Sequence, residues 1–351
     1  MTLVTNKTDI KELSKEKIVA WLTEKAIKPY RASQILKWVY LRQADSFEVM
    51  TDLSKELRNL LSLHFTIARL QKIHIETSQD GALKYLFKLR DDNYIESVLI
   101  PERNHYTLCI SSQVGCAHGC RFCLTAQKGF IRNLTRGEII AQVRDVLNDL
   151  DGAKRLSNIV FMGMGEPLAN YDNLIGAIET ITDSDVGLKF SNRRVTVSTA
   201  GLLPKFPKLG RDTRVNLAIS LNATDNKTRD MIMPINRKYP IEKLIEACRL
   251  YPLEPGRRIT FEYVLIKGIN DSAEDADRLV SLLKPIKSKV NLIPFNEHEG
   301  SEFLRPEDSV INRFQEILIQ NHFTAIVRHS KGEDISAACG QLSGLRREQS
   351  A

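Results

Sequence analysis

The sequence predicts an α/β protein: an open, partial (β/α)6-type barrel preceded by a small helical N-terminal domain and a short β extension. Two observations carry that expectation. From Thr107 onward, β-type runs alternate with helical stretches, the pattern of parallel strands joined by helical crossovers. Before residue 100 the texture differs, with short amphipathic helices followed by tight-turned strands. A chain of 351 residues, 42% apolar, is long enough for one large core and a smaller companion.

Taken in order, residues 9 to 66 read as short helices, with apolar positions at Ile18, Trp21, Leu22 and Ile27, then Ile35, Leu36, Trp38 and Val39, then Leu57, Leu60 and Leu61. Residues 73 to 100 read as a small antiparallel sheet, interrupted by the turn sequences Gln79-Asp-Gly81 and Asp91-Asp-Asn93. A boundary is expected near residue 100, and the strand Thr107 to Ser111 opens the larger domain. Strands follow at Asn158 to Met162, Arg194 to Val197, Val215 to Ile219, Ile259 to Val264, Val290 to Ile293 and Thr324 to Arg328. Thr135-Arg-Gly-Glu138 and Asp271-Ser-Ala-Glu274 have the spacing of capping boxes. So few βα units fall short of a closed eight-stranded barrel, so an open one is expected over a doubly wound sheet. The division is 1–72 helical, 73–104 β extension, 105–345 partial barrel and 346–351 tail.

The formal charge is +7, and residues 1 to 75 hold thirteen Lys or Arg against eight Asp or Glu. Excess positive charge near the N-terminus favours a polyanionic partner such as nucleic acid, although it also serves plain solubility. The first ten residues lack an apolar h-region, and no run of about twenty apolar residues follows, so a cytoplasmic protein with no membrane partner is expected.

Cys116, Cys120 and Cys123 lie within eight residues of a glycine-containing loop. A tetrahedral structural zinc site wants four ligands, whereas a four-iron cluster can be anchored at three corners. His118 could complete a zinc knuckle, which leaves a non-catalytic, zinc-containing RNA-binding protein as an alternative of another class. A disulfide framework is a poor fit to a chain this long with six cysteines. The spacing of three residues and then two matches S-adenosylmethionine (SAM) radical enzymes, in which a [4Fe-4S] cluster keeps one iron open to chelate the cofactor's methionine end. The turn Met162-Gly-Met-Gly-Glu-Pro167, one βα unit later, lets the backbone approach a ligand closely, and Glu166 offers an acceptor for an ammonium group. Ser198, Ser220, Asn222 and Asn296, each after a later strand, are candidates to hydrogen-bond a cofactor. Cys248 reads as a core residue of the helical run Ile241 to Leu250. Cys109, on the strand before the cysteine loop, and Cys339, in an exposed segment of small residues, are candidates for thiol chemistry.

These motifs together resemble one family. Ser111-Ser-Gln-Val-Gly-Cys-x-x-x-Cys-x-Phe-Cys-x-Thr-Ala-Gln-x-Gly-Phe130, Met162-Gly-Met-Gly-Glu-Pro167, Met233-Pro-Ile-Asn236 and Ala337-Ala-Cys-Gly-Gln-Leu342 are similar to the RlmN/Cfr family of radical SAM adenine methyltransferases, over roughly residues 15 to 344. The carbon 2 type is favoured by Pro167 and Thr125-Ala-Gln127, with the carbon 8 (Cfr) type as the alternative. The resemblance implies 23S ribosomal RNA and transfer RNA, at the anticodon-adjacent adenosine, as substrates. It also implies two SAM molecules per turnover, a reducing donor such as a flavodoxin or ferredoxin, a monomer, and an RNA-engaging role for the basic helical region. By the same resemblance Cys116, Cys120 and Cys123 hold the cluster. Gly165, Glu166, Ser198, Ser220, Leu221, Asn222 and Asn296 match cofactor contacts, Asn222 standing where some members carry histidine.

The implied mechanism makes chemical sense, since adenine carbon 2 is not a nucleophile and cannot take a methyl cation directly. Cys339 becomes S-methylated, loses a hydrogen atom to a 5'-deoxyadenosyl radical, and adds as a methylene radical to the ring. Glu96, thirteen residues before Cys109, accepts the ring proton, and Cys109 releases the product by forming a disulfide with Cys339. Arg132, Arg136, Arg193, Arg194, Arg257 and Arg258 are candidates for phosphate contacts.

Overall fold

The structure, a computed structural model, describes residues 7–150, 152, 154–298 and 300–344; the tail 346–351 lies outside them. The N-terminal region comprises β1 (Thr8–Asp9), α1 (Lys15–Glu24), α2 (Arg31–Tyr40), α3 (Lys55–His64) and β2 (Phe65–Thr66). Ser14 and Ser54 cap α1 and α3 by accepting from the N–H of Lys17 and Leu57. The helices were legible in the apolar spacing, whereas the two-residue parallel pairing of β1 with β2 was not.

Three strands expected as a separate small sheet, β3 (Gln71–Thr77), β4 (Leu83–Lys88) and β5 (Tyr94–Pro101), form instead the antiparallel edge of a single ten-stranded sheet. β5 pairs with β6 (His105–Cys109), so the ladder runs unbroken through residue 100. After β6 come the short ribbon strand β7 (Gln113–Gly115), α4 (Leu124–Gln127), the second ribbon strand β8 (Phe130–Asn133) and α5 (Arg136–Asp149). The chain continues through β9 (Arg155–Phe161), α6 (Tyr171–Thr182), β10 (Val195–Thr199), α7 (Phe206–Asp212), β11 (Asn216–Ser220), α8 (Asn226–Ile232) and α9 (Ile241–Arg249). It ends with β12 (Ile259–Leu265), α10 (Ala273–Leu283), β13 (Ser288–Pro294), α11 (Asp308–Gln320) and β14 (Ala325–Val327). The strand order β6-β9-β10-β11-β12-β13-β14 follows the chain, with every neighbour parallel. A doubly wound sheet would reverse its order at a switch point; this one never does, as an open barrel requires.

The two faces of these parallel strands differ. Register places Ile219, Phe261, Val290 and Ala325 in one row, where they pack with Leu279, Phe314 and Leu318 of the covering helices. Burying a side chain such as Phe261 contributes about 1.5–3 kcal/mol. The opposite row is Ser220, Glu262, Asn291 and Ile326. Closed barrels fill that side with branched apolar residues, so hydroxyl, carboxylate and amide groups mark it as a site rather than a core.

The N-terminal region is fastened to α5 by polar contacts. The Glu12 carboxylate accepts from Thr135 Oγ1 (2.6 Å) and Gly137 N (3.0 Å), and a Cβ on Gly137 would stand 2.3 Å from its Oε1. Fully buried Arg144 donates to the carbonyls of Val39 (3.0 Å) and Ala44 (2.5 Å) and to Asp45. The capping box at Thr135 and Glu138 forms as expected, whereas the second one is shifted by one residue: Ser272, not Asp271, is the cap, and Asp275 completes it.

Candidate active site

The ribbon β7–β8 frames the cysteine loop. Its close approach depends on Gly115, whose φ is +74° and whose Cβ would fall 1.9 Å from the Gly129 carbonyl oxygen. Cys116 N donates to that same oxygen (2.8 Å), and Cys123 N donates to Cys120 O (3.1 Å) as the chain enters α4. None of the three cysteines is in a disulfide. Burial pushes the Cys116 thiol up to about 12 and raises Cys120 further, each with a contribution from its neighbouring cysteines. Burial raises Cys123 too, against the N–H groups of Ala126 and Thr125. Three free thiols on one eight-residue loop supply three thiolate corners, so the residues fit a cluster bound at three corners.

Gln113 joins this loop to the glutamate turn. Its side-chain oxygen accepts from Glu166 N (2.8 Å), and a Cβ on Gly165, at φ +98°, would overlap its Cβ at 2.4 Å. Glu166 is buried, which pushes its carboxyl up. Its oxygens accept from Leu168 N (3.0 Å) and Ala200 N (2.8 Å), and His118 Nε2 lies 3.7 Å from Oε2. Glu166 therefore ties the turn after β9 to the turn after β10 while keeping lone pairs for a ligand ammonium. His118 faces this carboxylate.

Ser198 lies inside β10 and Ser220 ends β11. Asn222, in a left-handed conformation at φ 59°, spends its amide locally: Oδ1 accepts from Val264 N (2.8 Å) and Nδ2 meets the Met233 sulfur (3.2 Å). Sequence reasoning missed Arg229, a fully buried guanidinium in the polar run of α8. It donates to Leu221 O (2.9 Å), Ala200 O (2.8 Å), Ser220 O (3.1 Å) and Asn236 Oδ1 (3.1 Å). Burial lowers it to about 10, with Cys120 acting the other way. One cation thus fixes the strand-end turns bearing Leu221 and Ser220.

The segment from Gly332 to Gly344 carries Cys339 across this site. Leu124 N donates to Gly340 O (2.7 Å), Thr125 Oγ1 to Leu342 O (2.6 Å), and Asn296 Nδ2 to Cys339 O (3.0 Å). Solvent reaches Cys339, while protein crowded round its sulfur pushes the thiol up to about 11, Glu262 adding to the rise and Arg328 opposing it. The exposure governs access; the crowding governs ionisation. Cys109 is buried on β6, raised first by burial and then by Cys339. Glu262, on the polar row, is pushed up to about 7 by burial and accepts from Asn291 Nδ2 (2.9 Å). Glu96 is buried on β5, where Oε2 accepts from Ser343 N (2.7 Å) and Gly344 N (2.9 Å).

The six arginines do not join this constellation. Arg132 is paired with Asp91 and Glu138, and Arg136 donates to Thr180. Arg193, Arg194, Arg257 and Arg258 precede β10 and β12, at the strand ends opposite the glutamate turn.

Residues 110–280 match the Radical SAM superfamily, and residues 8–67 match the N-terminal domain of ribosomal RNA large subunit methyltransferases. The dual-specificity RNA methyltransferase RlmN of Desulfosudis oleivorans is 59% identical over 335 residues, covering 95% of this chain and 90% of the relative. That of Geobacter sulfurreducens is 56% identical over 336 residues, covering 96% and 92%. A radical SAM methyltransferase from Sphaerobacter thermophilus superposes with a TM-score of 0.91 at 42% identity, covering 96% of this chain and all of its own.

Proposed function

The chain belongs to the RlmN family of dual-specificity RNA methyltransferases and is a radical SAM enzyme using a [4Fe-4S] cluster, and we propose that it methylates carbon 2 of adenine in 23S ribosomal RNA and in transfer RNA. When bound, the cluster and SAM supply one-electron cleavage of a sulfonium, a step the protein's own side chains cannot perform. Cys116, Cys120 and Cys123 hold the cluster, and Gly165, Glu166, Ser198, Ser220, Leu221, Asn222 and Asn296 form the cofactor's surroundings. Asn222 contributes through its backbone and by shaping the turn, since its amide is already engaged.

The observation that carries the reading is that the Cys339 segment lies against the cysteine loop, with Leu124 N donating to Gly340 O (2.7 Å) and Asn296 Nδ2 to Cys339 O (3.0 Å). In this reading Cys339 takes a methyl group near the cluster loop and hands it to a base. Cys109 closes a disulfide with it on release, and Glu96 takes the ring proton. Residues 1–72 are assigned to RNA engagement, 73–104 to the extension bearing Glu96, and 105–345 to catalysis. A monomer in the cytoplasm, reduced by a flavodoxin or ferredoxin, completes the proposal; no described helix is long and apolar enough to cross a membrane.

The test is nucleoside mass spectrometry of unmodified RNA after anaerobic incubation with reconstituted protein, SAM and reductant. 2-Methyladenosine is expected. 8-Methyladenosine would instead assign the carbon 8 chemistry, and accumulation of 5'-deoxyadenosine with no methylated adenosine would remove the RNA assignment.

A further inference from the structure

Lys84 projects from β4 with only 4% of its side chain exposed. A buried ammonium is costly unless paired, and three acceptors surround this one: Ile335 O at 2.5 Å, Glu76 Oε1 at 3.0 Å and Glu96 Oε1 at 3.7 Å. Register explains the cluster. Glu76 is the cross-strand partner of Lys84, and Glu96 is two residues from its other partner, Val98, hence on the same face.

Ile335 lies four residues before Cys339, and Ser343 and Gly344, which donate to Glu96 Oε2, lie four and five residues after it. One Lys–Glu pair therefore grips the Cys339 segment on both sides. We infer that Lys84 is a positioning residue: it orients the Glu96 carboxylate and fixes the approach of the segment that carries Cys339, so that proton acceptor and methyl carrier are set by a single side chain. The inference rests on the roles proposed above for Glu96 and Cys339.

The charge balance points the same way. Burial pushes Glu96 up; the Gly344 N–H, the Lys84 charge and the Ser343 N–H pull it down, and Glu76 pushes it up again. Without the Lys84 ammonium, Glu96 ionises less readily, and a base is lost over part of the working pH range.

The experiment compares Lys84→Met and Lys84→Arg in the reconstituted holoprotein. In Lys84→Met, iodoacetamide labels Cys339, followed by peptide mass spectrometry without RNA, about fivefold faster, the effect of one lost buried hydrogen bond. Its cluster content, read as iron and acid-labile sulfide per chain, stays at the wild-type level. Methylated adenosine forms at least about tenfold more slowly, and the acid limb of the pH–rate profile moves upward. Lys84→Arg restores the labelling rate and most of the turnover. Unchanged labelling and turnover in Lys84→Met would overturn the inference. So would slower turnover with a fixed acid limb and no rescue by arginine, the outcome for a residue that serves the fold alone. Should Lys84→Met not fold, Lys84→Arg carries the test, since an arginine that neither keeps Cys339 protected nor supports turnover also overturns it. A Glu96→Gln enzyme that works at the wild-type rate would remove the role of Glu96, while the labelling result still decides the grip on the segment.

Discussion

Cys109 and Cys339 are held by opposite means. Cys109 is part of β6, bonded through the main chain to β5 on one side and β9 on the other. Cys339 belongs to a segment whose ordered element among the described residues is one turn of 3-10 helix at Glu333–Ile335, held in place by the main-chain bond from Leu124 N to Gly340 O and by side chains. Ser78, Asp80, Lys84, Thr125 and Asn296 each contribute one such bond. A thiol embedded in a sheet cannot change partners; one held by separable hydrogen bonds can visit a cofactor and then a base. That division suits a carrier cysteine facing a resolving one.

Removing the thiols gives the largest expected effect. Cys339→Ala abolishes methylated adenosine with no change in melting temperature, whereas Cys109→Ala leaves protein joined to RNA, seen as a slow band on a denaturing gel. Equal behaviour of the two variants would break the comparison. Next is Glu262, beside Cys339 on the polar row. Its carboxyl is raised by burial to about 7, so its neutral form favours the folded state. That contribution is full below the unfolded value near 4.5 and is lost as pH rises through about 7, a change of ~3 kcal/mol at most. The stability of wild type relative to Glu262→Gln in urea titrations therefore falls between those limits.

Smaller again is the clasp at the β3–β4 turn. Ser78 donates to Asp334 (2.6 Å) from a buried position. Ser78→Ala is expected to cost about 1 kcal/mol and to speed alkylation of Cys339 severalfold without changing that of Cys109. The smallest effect belongs to the rim, where Arg132 beside Asp91 holds that carboxyl well below the usual carboxylate range. Arg132→Ala costs under about 1 kcal/mol at neutral pH. Since the Asp91 value is lowered, this difference shrinks as pH falls below about 4, which thermal melts at two pH values would detect.

How much of this was readable beforehand differs between the same two regions. Cys109, the parallel strands and the cysteine loop were legible because their determinants are local: apolar runs at strand spacing and thiols a few residues apart. The short ribbon β7–β8 and the pair β1–β2 were too brief to leave a pattern. The clasp was not legible, because Ser78 and Asp334 are 256 residues apart and neither is unusual where it stands. Lys84 stands in a strand whose sequence gives no sign of its buried pairing, and Glu96 acquired a role only through the family resemblance. Arg229 was invisible for a related reason, since the Asn226–Ile232 helix that carries it is mostly polar and gives no hint of burial.

The ten-stranded sheet has two free ends, β14 and β3. The chain leaves β14 at Val327, and by Asp334 it has reached the turn that follows β3. Residues 328–334, the stretch leading to Cys339, thus form a tie bar between the two ends of an open arc, fastened to Ser78 and Asp80 at Asp334 and Gly332. Any force that spreads the two ends loads those bonds, which lie five and seven residues before Cys339. Opening of the arc therefore starts at one anchor of that cysteine's segment, while Asn296 and Leu124 hold the other.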